Sequence, residues 1–237
     1  LATERIDCLG VVLSASIYGE SDRIVRMYTD RKGKISVMAK GAKSVRSRTL
    51  PLTEVFTYGR YRLSAGKTFY YLNGGKILES NLAMREEYDR LIYGSALVEI
   101  ADRSSLEGEG TPQIFSLLRK SLHILAHAEE PLWIFLGFVI KYVSYMGYRP
   151  LIPNAIEGEY IFLPDKGIVK KEDGGPHGTE IDSQVIYTFR HLLYTSLDKI
   201  DLGEISPAAI ETVYRCLTEY VVVNLELERI QSLQLRM

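Results

Sequence analysis

Up to Glu79 the apolar residues of this chain come in short β-branched and aromatic runs broken by glycine, and from Asn81 onward they recur at helical spacing. A period-two segment buries one side of a strand, and a period-3.6 segment buries one stripe of a helix, so the two stretches cannot share one architecture. The chain is therefore read as α+β, with a β module at 1–79 and an α module at 80–237. Predicted strands cover Ile6–Ser14, Asp22–Thr29, Lys34–Ala39, Glu54–Leu63 and Thr68–Leu78. Five short strands punctuated by Gly19, Gly33, Gly41, Gly59 and Gly66 suggest a small closed barrel.

Helical spacing starts in Asn81–Arg103, with Tyr88, Leu91, Ile92, Ser95 and Val98 on one side. Thr111 as N-cap and Pro112 behind it predict a helix to about Ala128, and Pro131 opens an apolar helix ending near Gly147. Further helices are expected over Asp182–Thr195 and Ser206–Ile230. Residues 148–181 interrupt the pattern. There Glu159–Leu163 and Gly167–Lys171, joined through Pro164-Asp165-Lys166, predict a β-hairpin.

The apolar run Pro131–Ile140 is about half the ~20 residues that span a bilayer, so it reads as a buried helix. Glu4, Arg5 and Asp7 are unlike a secretory leader, and a cytoplasmic location is expected. Cys8 and Cys216 could pair on count alone, but free buried thiols in a reducing compartment are the expectation.

Charge is the strongest functional signal. Arg31 to Thr53 holds seven basic residues and no acid, on a chain whose net charge is −1. Residues 1–80 sum to +7 and the remainder to −8. A basic module joined to an acidic body points to polyanion binding at one end and protein contacts elsewhere. Lys34 and Lys40 flank the apolar ISVMA strand, and Lys43, Arg46 and Arg48 follow among small residues that let phosphates approach. Arg23, Arg26 and Lys32 support them if the barrel turns them the same way. The bland alternative is a solvated loop, but the absence of acids and the position beside a strand argue against it. Tyr58, Tyr61, Tyr70 and Tyr71 offer rings for base stacking, although most tyrosines on such strands pack with only the hydroxyl wet.

Other patterns carry less. Gly66-Lys67-Thr68 ends like a phosphate loop, but position 61 is Tyr and a strand follows. His123 and His127 share a helical face without a third ligand, and His177 and His191 stand alone. Glu86, Glu87, Glu129 and Glu130 sit at helix ends, where carboxylates favour the dipole. No nucleophile–base set is legible, so no enzyme is expected.

Residues 18–48 resemble the RecO family of bacterial recombination mediators. Tyr18-Gly19-Glu20-Ser21-Asp22-Arg23-Ile24-Val25 matches its first segment, and Thr29 with Gly33-Lys34-Ile35 its next. Ala39-Lys40-Gly41-Ala42-Lys43 and Ser47-Arg48 complete the block. Weaker matches are Ile77–Glu79, Glu99 with Asp102-Arg103, and Met146-Gly147-Tyr148-Arg149-Pro150.

The resemblance implies an oligonucleotide-binding (OB) barrel followed by a helical domain. It implies binding of single- and double-stranded DNA, strand annealing, and loading of RecA with RecR onto DNA coated by single-strand-binding protein. Residues matching Lys34, Lys40, Lys43, Arg46 and Arg48 would lie on the DNA face. A docking pocket for the C-terminal tail of single-strand-binding protein would lie in the helical domain, where 131–148 is strongly apolar. Many members carry a four-cysteine zinc site after the Gly-Tyr-x-Pro match. Here 150–183 has no cysteine and only His177, so no metal or other cofactor is expected. The alternative function is a protein–protein adaptor whose barrel binds DNA weakly.

Overall fold

The structure, a computed structural model, describes residues 4–155, 157–175 and 178–236. Strands β1 (Arg5–Tyr18), β2 (Asp22–Thr29), β3 (Gly33–Ala39), β4 (Tyr58–Ala65) and β5 (Tyr70–Glu79) close a barrel in the order β1-β2-β3-β5-β4. This is the five-stranded OB-fold. Its long first strand pairs with β4 through residues 5–11 and with β2 through residues 10–18, and its register shifts between Val12 and Ser14. Such a shift bends a strand, which lets one strand serve both sides of a small barrel. Val12, Val25, Met27, Ile35, Val37, Tyr61 and Leu63 fill the interior.

β1 outruns its expected end by four residues, and β4 starts four residues later than expected. Phe56 adopts φ 77°, which ends any strand there, and residues 56–57 bond instead to the bend of β1 (Phe56 N–H to the Val12 carbonyl, 3.1 Å; Val12 N–H to the Thr57 carbonyl, 3.0 Å). A short 3-10 turn at Leu50–Thr53 precedes this segment, and its Leu52 carbonyl accepts the buried Tyr61 hydroxyl at 3.1 Å.

By internal contacts the chain divides into two compact units, residues 1–127 with 231–237, and residues 128–230. The first therefore adds α1 (Tyr88–Ser104), α2 (Pro112–Leu125) and a C-terminal 3-10 turn (Gln231–Leu235) to the barrel. α1 begins later than apolar spacing predicts. Asn81 takes φ 51°, Leu82–Arg85 forms a 3-10 turn, and Glu87 caps α1 by accepting from Asp89 N–H and Arg90 N–H. α2 begins as expected, with Thr111 Oγ1 accepting from Ile114 N–H at 3.2 Å.

The α1–α2 connection completes the barrel. β3 pairs with β5 only through Val37 and Met38, which leaves its first residues with an open edge. Residues 107–109 cover that edge: Gly108 N–H donates to the Lys34 carbonyl (2.7 Å) and Lys34 N–H to the Glu109 carbonyl (3.0 Å). The Glu107 carboxylate accepts from Ser36 N–H. Gly33, at φ 60°, lies so close beneath that a Cβ would fall 2.0 Å from the Glu109 carbonyl oxygen.

The C-terminal turn is held by Glu99 on α1. Its carboxylate accepts from Gln231 N–H (2.7 Å), Ser232 N–H (2.8 Å) and the Ser232 hydroxyl (2.7 Å), and it pairs with Arg103 at 3.0 Å. Partial burial opposes its ionisation, but the Ser232, Gln231 and Arg103 hydrogen bonds outweigh burial and hold its pKa below the ordinary 4.5.

The second unit packs α3 (Pro131–Tyr145), α5 (Ser183–Tyr194) and α6 (Pro207–Asn224) with a small sheet. That sheet orders β7 (Gly167–Lys170), β6 (Tyr160–Leu163) and β8 (Thr179–Ile181), with a single turn, α4 (Lys171–Gly174), between β7 and β8. The hairpin is as expected and β8 is an addition. Phe162 on β6 packs against Phe189 and Tyr220, with ring centroids 5.7 and 6.0 Å apart. α6 stops short of Ile230. Asn224 Nδ2 donates to the Pro164 carbonyl (2.8 Å), and Glu226 adopts φ 52°.

α3 buries Ile134 through Ile140 within its own unit, while Tyr145 in its last turn and Tyr148 beyond it are exposed. Among the described residues no helix is long and apolar enough to cross a membrane. Cys8 and Cys216 are free and buried, and burial pushes both thiols up to about 12. The described residues of 150–183 do not fit a zinc site: no cysteine is present, and no group of three or more His, Cys, Asp or Glu is placed to hold a metal. His177 lies outside the described residues.

Two outcomes are expected. Glu99, whose native pKa is depressed, contributes stability in full above its ordinary 4.5 and loses it as pH falls through the lower native value. Glu99→Gln should lower the melting temperature at pH 7 and flatten its fall below pH 5, as read by circular dichroism. Elemental analysis should find no stoichiometric zinc, and a chelator should leave the melting temperature unchanged.

Candidate nucleic-acid interface

The eight basic residues singled out by the sequence fall into two sets. β3 ends at Ala39, and the chain then turns through residues 40–49. Gly41 takes φ 64°, and its N–H donates to Asp22 Oδ1 at 2.8 Å. Lys43 N–H donates to the Ser21 carbonyl at 3.0 Å, and Ser21 Oγ donates to Asp22 Oδ1 at 3.0 Å. These bonds tie the basic loop to the β1–β2 hairpin tip. The Gly41 N–H, then the Ser21 hydroxyl, hold the Asp22 pKa below its ordinary value.

Ala42 is fully buried in the barrel core and anchors the loop from below. Internal bonds stiffen the rest, with Ser47 N–H donating to the Ser44 carbonyl (2.9 Å) and the Ser47 and Thr49 hydroxyls 2.9 Å apart. On this pinned frame Lys40, Lys43, Arg46 and Arg48 are all exposed, and none forms an ion pair among the described residues. A rigid loop that presents solvated cations loses little conformational entropy when a polyanion arrives.

The other four are turned to protein partners. Lys34 Nζ donates to the Asp102 carbonyl and sits 3.7 Å from Asp102 Oδ1, with its side chain only 13% exposed. The sequence expectation had Lys34 meeting phosphate. The structure instead makes it internal, because Asp102 is buried and needs a counter-charge. Arg26 contributes a second one, with Nη2 2.7 Å from Asp102 Oδ2, and its Nε donates to Ser14 Oγ at 2.9 Å. Arg23 bonds Glu54 (2.8 Å) and Thr53 (2.9 Å). Glu54 also receives Arg85 at 3.0 Å; burial opposes its ionisation, and the two guanidiniums prevail to lower its pKa. Lys32 lies 4.0 Å from Glu4 at the surface.

Of the four tyrosines named for stacking, Tyr61 and Tyr58 are core residues, and Tyr70 packs against the core. Arg119 lies over the Tyr58 ring. Tyr71 alone of these is exposed, and Lys40 Nζ stands 5.4 Å from its ring centroid. Tyr18, at the tip of β1 beside the loop, is 53% exposed and Val45 within the loop 89%. No local pattern separates Tyr18 from buried tyrosines, since it follows the apolar part of its strand. His123 pairs with Glu79 at 3.0 Å and meets His127 edge-on, and among the described residues they belong to no group placed to hold a metal.

A family model described as Recombination protein O N terminal matches residues 4–81, and one described as Recombination protein O C terminal matches residues 85–234. The DNA repair protein RecO of Alkaliphilus metalliredigens is 27% identical over 236 residues, which cover 95% of this chain and 96% of that one. The protein of that name from Clostridium perfringens is 30% identical over 203 residues, 82% of each chain. That from Acetivibrio thermocellus is 32% identical over 155 residues, 65% of this chain and 62% of its own.

Lys34→Met should cost about 2–3 kcal/mol, because it leaves Asp102 buried with Arg26 as its remaining cation. Lys40→Ala should cost under about 0.5 kcal/mol, as for most solvated side chains. Urea denaturation of the two variants checks both.

Proposed function

This chain belongs to the RecO family of DNA repair proteins, and from that premise we propose that it is a recombination mediator. It binds single- and double-stranded DNA, anneals complementary strands and, with RecR, loads RecA onto single strands coated by single-strand-binding protein. The observation that carries the reading is the pinned loop at 40–48, where Lys40, Lys43, Arg46 and Arg48 are exposed and free of ion pairs. In this reading the barrel at 1–79 is the DNA-binding module and the remainder, 80–237, carries protein partners. The tail of single-strand-binding protein docks on the latter, a contact that rests on family membership alone.

Four cations on a stiff loop bind phosphates, which carry no base identity, and this suits a protein that must handle any sequence. Neutralised phosphates also repel a second strand less, which favours annealing. Tyr71 and Tyr18 supply ring faces on which bases of any kind stack. The reading includes no active site, because pairing two strands makes and breaks no covalent bond. Its setting is the bacterial cytoplasm, at the nucleoid.

With about four phosphates neutralised, log K for a single strand should fall with log salt at a slope of about −2.8. Between about 50 and 200 mM salt, affinity then drops roughly 50-fold. Lys40→Ala with Lys43→Ala should reduce the slope magnitude by about 1.4, whatever the sequence of the oligonucleotide. Fluorescence anisotropy titrations at several salt concentrations read this directly. Weak binding insensitive to salt would favour the adaptor instead.

A further inference from the structure

A second group of cations lies on the barrel strands themselves, on residues outside the 40–48 loop. Arg60 on β4 stands directly opposite Lys76 on β5 in the antiparallel register, and both side chains are exposed. Like charges directly opposed across strands destabilise a sheet. Neither residue forms an ion pair among the described residues. Two positions along β4, Arg62 is also exposed, and on β1 so is Arg5. Asp7 faces Arg62 in the β1–β4 register but makes no ion pair with it. Cations set against each other across a sheet, and joined to no carboxylate by a close ion pair, mark a surface shaped by what it binds.

The relief of this face fits a phosphate backbone. A groove of about 610 Å³ runs beside Arg5, Asp7, Arg62, Ser64 and Asn73. A smaller hollow of about 250 Å³ joins Arg60 to Arg31, beside Asp7 and Asp30. The Asp30 carboxylate already accepts Leu9 N–H at 2.9 Å. β5 is bare at Gly74, opposite Arg62, so the Arg62 guanidinium reaches across it; a Cβ there would lie 3.1 Å from Arg62 Nη2. Tyr71, opposite Ser64 on β4, borders the face and carries Lys40 on its ring.

We propose that the outer face of β1, β4 and β5, through Arg60, Arg62, Lys76 and Arg5, is a second surface for the phosphate backbone of a nucleic-acid strand. It deepens the reading above, because a protein that anneals strands needs more backbone contact than one short loop provides. It also stands on its own residues, none of which belongs to that loop.

The test is a triple variant, Arg60→Ala, Arg62→Ala and Lys76→Ala, beside a quadruple variant of Lys40, Lys43, Arg46 and Arg48 to Ala. Each is titrated with a 30-nucleotide single strand at several salt concentrations, with folding checked by melting. With both surfaces engaged the parental slope is about −4.9, steeper than the roughly −2.8 of the loop alone, and the triple variant should lose about 2.1 of it and about 100-fold in affinity near 100 mM salt. Parental affinity and slope in the triple variant would overturn the proposal, whatever the quadruple variant does. Parental binding in the quadruple variant, with loss in the triple, would sink the loop reading and keep this one. A charge reversal separates binding from folding. Lys76→Glu should raise the melting temperature by about 1–2 °C by giving Arg60 an opposite partner, while weakening binding of the same strand at least several-fold. A Lys76→Glu protein that binds as tightly as the parent would count against the surface.

Discussion

The first unit depends on how the open edge of β3 is closed. An unpaired strand edge leaves backbone donors and acceptors without partners and invites pairing with other chains. Here the edge is closed from within, by residues 107–109 of the α1–α2 connection. Lys34 lies at the centre of this arrangement. Its backbone N–H and carbonyl bond the connection, and its ammonium reaches the carbonyl and carboxylate of Asp102 on α1. One residue thus binds the barrel to α1 and to the connection, so the strand carrying the basic loop at its end is fixed against two neighbours. The loop's own bonds to Asp22 and Ser21 add a third support. Charge is presented from a frame with little freedom to move.

The cations of the barrel are therefore of two kinds. Lys34, Arg26 and Arg23 neutralise Asp102 and Glu54, carboxylates that burial would otherwise make costly. Lys40, Lys43, Arg46 and Arg48 form no ion pair among the described residues. The positive sum of the N-terminal third mixes both kinds, and only exposed cations without an ion pair, Arg60, Arg62 and Lys76 among them, are available to an outside anion. Counting charge locates a basic module; pairing geometry decides which charges are on offer.

That distinction explains how much could be read in advance. The change from strands to helices after Glu79, the five strands, the cap Thr111 and the hairpin around Pro164 are local signals and were legible. Lys34 and Lys40 flank the same apolar strand with the same charge, and what separates them is a carboxylate 68 residues away. No local pattern carries that. Phe56 at positive φ is equally silent, since an aromatic amid β-branched residues reads as strand. β8 was missed because Thr179–Ile181 is too short to show alternation and exists through its partner β6. Arg60 and Lys76 each look like ordinary solvent-side positions; only the register sets them against each other.

The turn held by Glu99 has a consequence for the order of events during synthesis. Residues 231–235 belong to the same compact unit as the barrel, yet roughly a hundred residues of the other unit are translated in between. At about 5–20 residues per second, the ribosome needs on the order of 5–20 s to cover that interval. Through it Glu99 on α1 has Arg103 beside it but not Gln231 and Ser232, so the first unit gains those hydrogen bonds only after the second unit has been made.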